Sequence, residues 1–213
     1  MDAHRIAVIV DLVDSKAIDD RRAAQAAIVA SFARVDPLVP HDQPLRATVG
    51  DEFQAVYPTL ADALEATLLA RLALPNAIDC RFGLGRGDVI DVGDGAAGVI
   101  QDGSAWWLAR EAIDEAHSRE DGRTPSVRSW FRSSTDDAAR ESLVNAYLMA
   151  RDQIVGAMTE RVRRLTFGTM LGSSQGELAD LEGITQSAVS QALRRSGGAS
   201  LITAVDELRK GGV

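Results

Sequence analysis

Ile6-Ala-Val-Ile-Val10 is an unbroken apolar run, preceded by Arg5 and closed by Asp11. A strand with one face in water alternates apolar and polar side chains, so this run predicts a strand buried on both faces. It also leaves a carboxylate at the edge of a core, where an acid is costly unless it is paired or bound to a cation.

The rest of residues 1–133 alternates strand and helix signals. Ala17 to Val35 is helical in pattern, with Ile28, Phe32 and Val35 on one stripe. Pro37, Pro40 and Pro44 break the chain into a loop. Leu45–Val49 and Phe53–Tyr57 read as two short strands flanking a tight turn at Gly50-Asp51. Thr59 opens a helix carrying Leu60, Leu64, Leu68 and Leu72 at i, i+4 spacing. Ile78–Leu84 is a further strand, Trp106–His117 a helix and Val127–Phe131 a closing strand. Gly83, Gly85 and Gly87 suit either close backbone approach to phosphates or a strand bend. Past Ser133 the strand signals vanish, and Asp136–Leu208 is almost continuously helical. Two units are expected, 1–133 and 134–213.

Charge follows the same division. The chain holds 23 Lys+Arg and 31 Asp+Glu, a formal net charge of −8, which argues against a generic polyanion binder. Residues 1–133 carry 14 basic and 21 acidic side chains, net −7, whereas residues 134–213 carry 9 and 10, net −1. The acidity therefore belongs to the first unit. One cysteine, Cys80, excludes a disulfide framework, and His4, His41 and His117 are scattered. No run approaches the roughly 18 apolar residues of a membrane span, and Met1–Arg5 has no signal-peptide plan. A cytoplasmic protein is expected.

Asp11 at a strand end and Asp51 in a turn have the placement that a divalent metal bridging to phosphate oxygens requires, if the two converge. The alternative is that Asp51 is a turn former and Asp11 a capping acid. In the second unit, Ser174-Gln-Gly-Glu177 is a capping box, Gly183 provides a turn and Thr185 caps a second helix through Arg195. Residues 174–195 thus follow the helix-turn-helix plan. Gln186, Ser187, Ser190 and Gln191 lie where base edges of DNA would be met, and Arg194 and Arg195 where phosphates would be. Dimerisation or protein contact is the alternative use of such a module.

The segment Val49-Gly-Asp-Glu-Phe53 resembles the GGDEF signature of diguanylate cyclases and the Gly-Asp hairpin of class III nucleotidyl cyclases. Three more segments resemble class III motifs in the same order. They are Val10–Ser15 for the first-strand metal motif, Arg81–Val89 for the Gly-rich strand pair and Gly103–Arg110 for the catalytic helix. Overall the chain most resembles the SatD family, which shares the Gly-Asp-Glu-Phe-Gln run seen at residues 50–54.

The resemblance implies an α+β chain with a ferredoxin-like palm of antiparallel sheet, followed by the all-α unit. It implies Mg²⁺ or Mn²⁺ held by Asp11, Asp51 and the Leu12 carbonyl, and a nucleotide contacted by Asp14, Ser15 and Trp106. Arg110 and Glu52 are the implied catalytic candidates, although strand alternation turns Glu52 away from the side of Asp51. Cyclase sites form between two chains, so a homodimer is implied as well. Two departures stand out: Trp106 occupies the catalytic Asn position and Ala47 that of the purine-reading Lys. The expected function is a nucleotide-binding sensor coupled to a DNA-binding module. The alternative is an active cyclase or related phosphoryl-transfer enzyme acting on a nucleoside triphosphate.

Overall fold

The computed structural model describes residues 4–14, 20–48, 51–95, 98–134 and 138–211. The first part runs β1 (Arg5–Leu12), α1 (Arg21–Val35), β2 (Gln43–Ala47), β3 (Phe53–Tyr57), α2 (Leu60–Ala73) and β4 (Cys80–Gly87). These strands lie in the order β2-β3-β1-β4, all antiparallel. That is the ferredoxin-like βαββαβ arrangement, and it makes the molecule α+β. A hairpin of β5 (Ile90–Gly95) and β6 (Gly98–Asp102) follows, then α3 (Ser104–Glu120). β7 (Ser129–Ser133) completes a five-stranded sheet by pairing parallel to β4. The chain ends in α4 (Ala138–Gly156), α5 (Glu160–Met170), α6 (Gln175–Glu182), α7 (Gln186–Arg195) and α8 (Gly198–Gly211).

β1 is buried on both faces, as its composition predicts. Ile6, Val8, Val10 and Leu12 enter the larger core with α1 and α2, while Ala7 and Ile9 meet α3 on the other side. The larger core also takes in Val144, Leu148, Val155, Met158, Phe167, Leu201 and Val205 from the C-terminal helices. One continuous apolar cluster therefore joins the sheet to α4, α5 and α8.

Gly83, Gly85 and Gly87 serve neither phosphate approach nor a bend. A Cβ on Gly85 would lie 2.1 Å from the Ala105 carbonyl oxygen and 2.3 Å from the Ala109 nitrogen. One on Gly83 would lie 2.2 Å from the Ala109 oxygen. These glycines let α3 sit backbone to backbone on β4, against the helix's small-residue stripe of Ala105, Ala109, Ala112 and Ala116.

Both sheet edges are blunted. On β7, Asn145 accepts from the Phe131 N–H at 2.8 Å and donates to the Phe131 carbonyl at 3.0 Å. Glu141 accepts from the Ser133 N–H, and Asp152 from the Arg128 N–H just before the strand. On β2, Pro44 has no N–H and the Leu45 N–H is taken by Asp36 at 3.1 Å. Charged or occupied edges resist pairing with another chain.

The β5–β6 hairpin was not anticipated from the sequence. It projects from the sheet with Ile90, Val92, Val99 and Ile100 exposed.

Candidate functional site

α3 packs mainly on β4, β1 and β7, leaving the same face of the β3 end more open. There Ile9, Gln54, Gln101, Trp106, Trp107 and Arg110 line a pocket of about 400 Å³. The pocket joins β1, β3, β6 and α3.

Arg110 and Glu52, the two candidate catalytic residues, meet each other. Arg110 Nη2 donates to Glu52 Oε2 at 2.6 Å, and Gln54 Nε2 donates to Glu52 Oε1 at 3.0 Å. Glu52 thus orients both a guanidinium and an amide at the pocket. Arg46 lies across from Gln54 in the β2–β3 ladder and so shares this face.

Trp106 is buried against Ala7, Ile9 and Val56, and its indole nitrogen has no hydrogen-bond partner among the described residues. Trp107 is 63% exposed, with its indole N–H donating to Asp102 Oδ1 at 3.0 Å. The ring presented to solvent is therefore Trp107, one residue on from the sequence candidate. The alanine stripe of α3 was the signal that separates them, because it fixes which helix face meets the sheet.

Asp11 stands at the neighbouring end of β1, directly across from Arg81. Its side chain is partly exposed, but Oδ1 is buried without a hydrogen bond among the described residues, 3.6 Å from Arg81 Nη1. Burial pushes the Asp11 carboxyl above its ordinary pKa; Arg81 and His117 oppose the rise, and the charge of Asp51 adds to it. One oxygen of Asp11 is thus buried with no hydrogen bond among the described residues, within reach of a second acidic charge. That fits a divalent cation such as Mg²⁺, which takes one or two carboxylates and completes its shell with water and phosphate oxygens. Among the described residues no group of three or more His, Cys, Asp or Glu forms a ready metal cage.

Leu12 is a core residue, leaving only its backbone for such a role. Asp51 is exposed in the turn that the Thr48–Glu52 backbone hydrogen bond closes at 2.9 Å. Asp14 is exposed just after β1, in a left-handed conformation with φ of 51° that Asp tolerates. Ser15 and Gly50 lie outside the described residues.

Arg81, which sequence reasoning passed over, begins a chain of alternating charges. Its Nε meets Glu120 at 2.5 Å, Glu120 meets Arg128 at 3.2 Å, and Arg128 meets Asp79 at 2.6 Å. Asp79 lies 3.6 Å from Arg71, which donates to Asp152 of α4 at 2.8 Å. Asp152 and the adjacent Arg151 are fully buried. Arg151 is held by the Leu64 carbonyl, Thr67 and Ser129. A continuous ionic path thus runs from the candidate cation site to the interior face of α4.

In the C-terminal part, Ser174 and Glu177 form the expected capping box, Gly183 turns with φ of 64°, and Thr185 caps α7. Leu165, Leu178, Ala179, Val189 and Leu193 form a small core around this pair of helices. Gln186, Ser187, Gln191, Arg194 and Arg195 are exposed along α7, with Ser190 partly so. Arg161 and Arg164 are engaged by Glu182 at 3.4 and 2.6 Å.

Residues 5–203 match the model of the SatD family. A comparison with curated proteins finds no match. Among solved structures, a bacterial light-regulated adenylyl cyclase is similar with a TM-score of 0.44 and 14% identity, over 55% of this chain and 41% of that one. This chain therefore spans about two fifths of that relative's length. The catalytic core of a rhodopsin–guanylyl cyclase with converted specificity, in complex with ATPαS, is 17% identical with a TM-score of 0.35, over 51% and 70% of the two chains. A regulator of polyketide synthase expression from Bifidobacterium adolescentis is 12% identical with a TM-score of 0.33, over 97% and 81%. Among the described residues, no helix is long and apolar enough to cross a membrane.

Proposed function

The chain belongs to the SatD family, and from that premise we propose that it is a sensor whose sheet binds a nucleotide with a divalent cation and whose α6–α7 module contacts DNA. The observation that carries this reading is the Asp11 carboxylate, with a buried, unbonded Oδ1 and a second carboxylate near enough to raise its pKa. An anionic oxygen held out of water needs a compensating charge, and Arg81 supplies part of it, across 3.6 Å.

In this reading Asp11, Asp51 and the Leu12 carbonyl hold Mg²⁺ or Mn²⁺, which supplies charge neutralisation to a bound triphosphate. Asp14 lies on the chain leaving that site, and the resemblance assigns it and Ser15 to the nucleotide. Arg110 binds phosphate through its guanidinium fork, released from or shared with Glu52. Trp107 offers a face for a base, and Trp106 forms the pocket floor.

Binding is favoured over cyclisation by two features. The position that resembles the catalytic Asn holds a buried tryptophan, Trp106, and Arg110 is already neutralised by Glu52. The exposed apolar side chains of the β5–β6 hairpin suit a second copy of the chain, as the resemblance to cyclases implies. On α7, Gln186, Ser187, Ser190 and Gln191 would face bases, and Arg194 and Arg195 phosphates.

The test is calorimetry of the full chain with each nucleoside triphosphate, with and without Mg²⁺ or Mn²⁺. Metal-dependent binding is expected for the native chain and at least about tenfold weaker binding for Asp11→Asn. Equal binding by both proteins refutes the site. Mass spectrometry of the same mixtures should detect no cyclic product; a product missing from the Asp11→Asn sample favours the enzymatic alternative. Gel shifts on genomic fragments test α7, and no binding at low salt with any nucleotide removes the DNA half.

A further inference from the structure

We propose that the cleft between the α1–α2 end of the sheet unit and helices α5 and α6 is a second ligand site, for a small organic anion with an apolar body. The cleft holds about 520 Å³. Leu72 and Leu74 line one side, Phe167 and Leu178 the other, and two guanidiniums, of Arg34 and Arg163, border it. Apolar walls with a few convergent polar groups are the usual make-up of a small-molecule site.

The lining carries three guanidiniums, of Arg34, Arg163 and Arg164, against two carboxylates, of Glu160 and Glu182, and so is net positive. The two acids of the lining, Glu160 and Glu182, are both engaged by Arg164, at 3.0 and 2.6 Å. Arg34 and Arg163 have no ion pair among the described residues. Arg34 is exposed and stacks over the Phe167 ring, 4.8 Å from its centroid. Arg163 is half-buried, and its Nε is buried with no hydrogen-bond partner among the described residues. Burial and the like charge of Arg71 shift the Arg163 pKa down, with Asp79 and Glu160 opposing the fall.

A half-buried guanidinium with no ion pair among the described residues, set in an apolar-walled cleft, is what a carboxylate, sulfonate or phosphate group would pair with. The leucines and the proline at the end of α2 would take the apolar body. Because the walls come from both halves of the chain, an occupant would bridge them. This site shares no residue with the sheet-face pocket, and it stands or falls independently of the nucleotide reading.

The experiment is a fluorescence titration of the full chain with 8-anilinonaphthalene-1-sulfonate and with its uncharged counterpart, N-phenyl-1-naphthylamine. The variants are Arg163→Met, Arg163→Lys and, in the separate apolar groove of Leu64, Tyr147 and Leu208, Leu143→Ser. The expected result is sulfonate affinity weakened on the order of tenfold by Arg163→Met and largely kept by Arg163→Lys. The neutral probe should bind all forms alike, showing that the fold and the apolar walls are intact. Leu143→Ser should change nothing. Equal sulfonate binding by Arg163→Met, loss of binding in Leu143→Ser, or no sulfonate binding at all would overturn the proposal.

Discussion

At the residue scale, the contact between β4 and α3 depends on the absence of three side chains. Gly85→Ala must push a methyl group into the backbone of α3, at 2.1 Å from the Ala105 oxygen. No rotamer relieves a clash with backbone, so urea unfolding should show a loss of about 3 kcal/mol or more, or no folded protein. Gly93→Ala, with nothing within 4 Å of its Cβ, is the matched control and should stay within about 0.5 kcal/mol. The glycine spacing was plain in the sequence, but its purpose was not. Period-two glycines announce a smooth strand face without saying what lies on it. The matching alanines of α3 complete the pattern some twenty residues later, and reading the two together would also have put Trp107 rather than Trp106 at the surface. Asp11 was legible for the opposite reason: a charge that ends an apolar strand is conspicuous against its neighbours. Arg81 was hidden because only the strand register places it across from Asp11.

At the element scale, α8 is fastened to α2 by Arg209, which donates to both oxygens of Glu65. Burial raises the Glu65 pKa, and Arg209 only partly offsets it. A carboxyl whose folded pKa lies above its unfolded one contributes most stability below the unfolded value and loses it as pH rises through the folded value. Relative to Glu65→Gln, the native chain should therefore gain stability in urea as pH falls from about 7 to about 5. A constant difference across that range would show that Arg209 cancels the burial cost. Helices and strands with strong periodicity were readable, down to the capping box at Ser174 and the Gly183 turn. The β5–β6 hairpin was not, since its apolar residues face outward and follow no burial pattern. Nor was α8 separable by sequence from the helices before it.

For the whole molecule, the shared core and the ionic path make the C-terminal helices part of what holds the sheet together. Asp152 gathers Arg71 and Arg151 in the interior, so Asp152→Ala leaves Arg151 with no carboxylate partner among the described residues and Arg71 with only the longer contact to Asp79, and should cost about 3–5 kcal/mol. Circular dichroism during urea unfolding should register that loss in sheet and helix signals together; separate transitions would show that the halves unfold independently. None of this path was visible in the sequence, where its members are scattered from Asp11 to Asp152 and only the fold makes neighbours of them.

The treatment of the sheet's margins carries a consequence for assembly. With Asn145 and Glu141 occupying part of one margin, and Pro44 and Asp36 disarming part of the other, the sheet is a poor template for another strand. A second copy of this chain that met the palm would then be expected to do so through side chains, at an interface that can dissociate and re-form, instead of by fusing two sheets into one. Association of that kind remains open to control by whatever ligand shifts the residues along it.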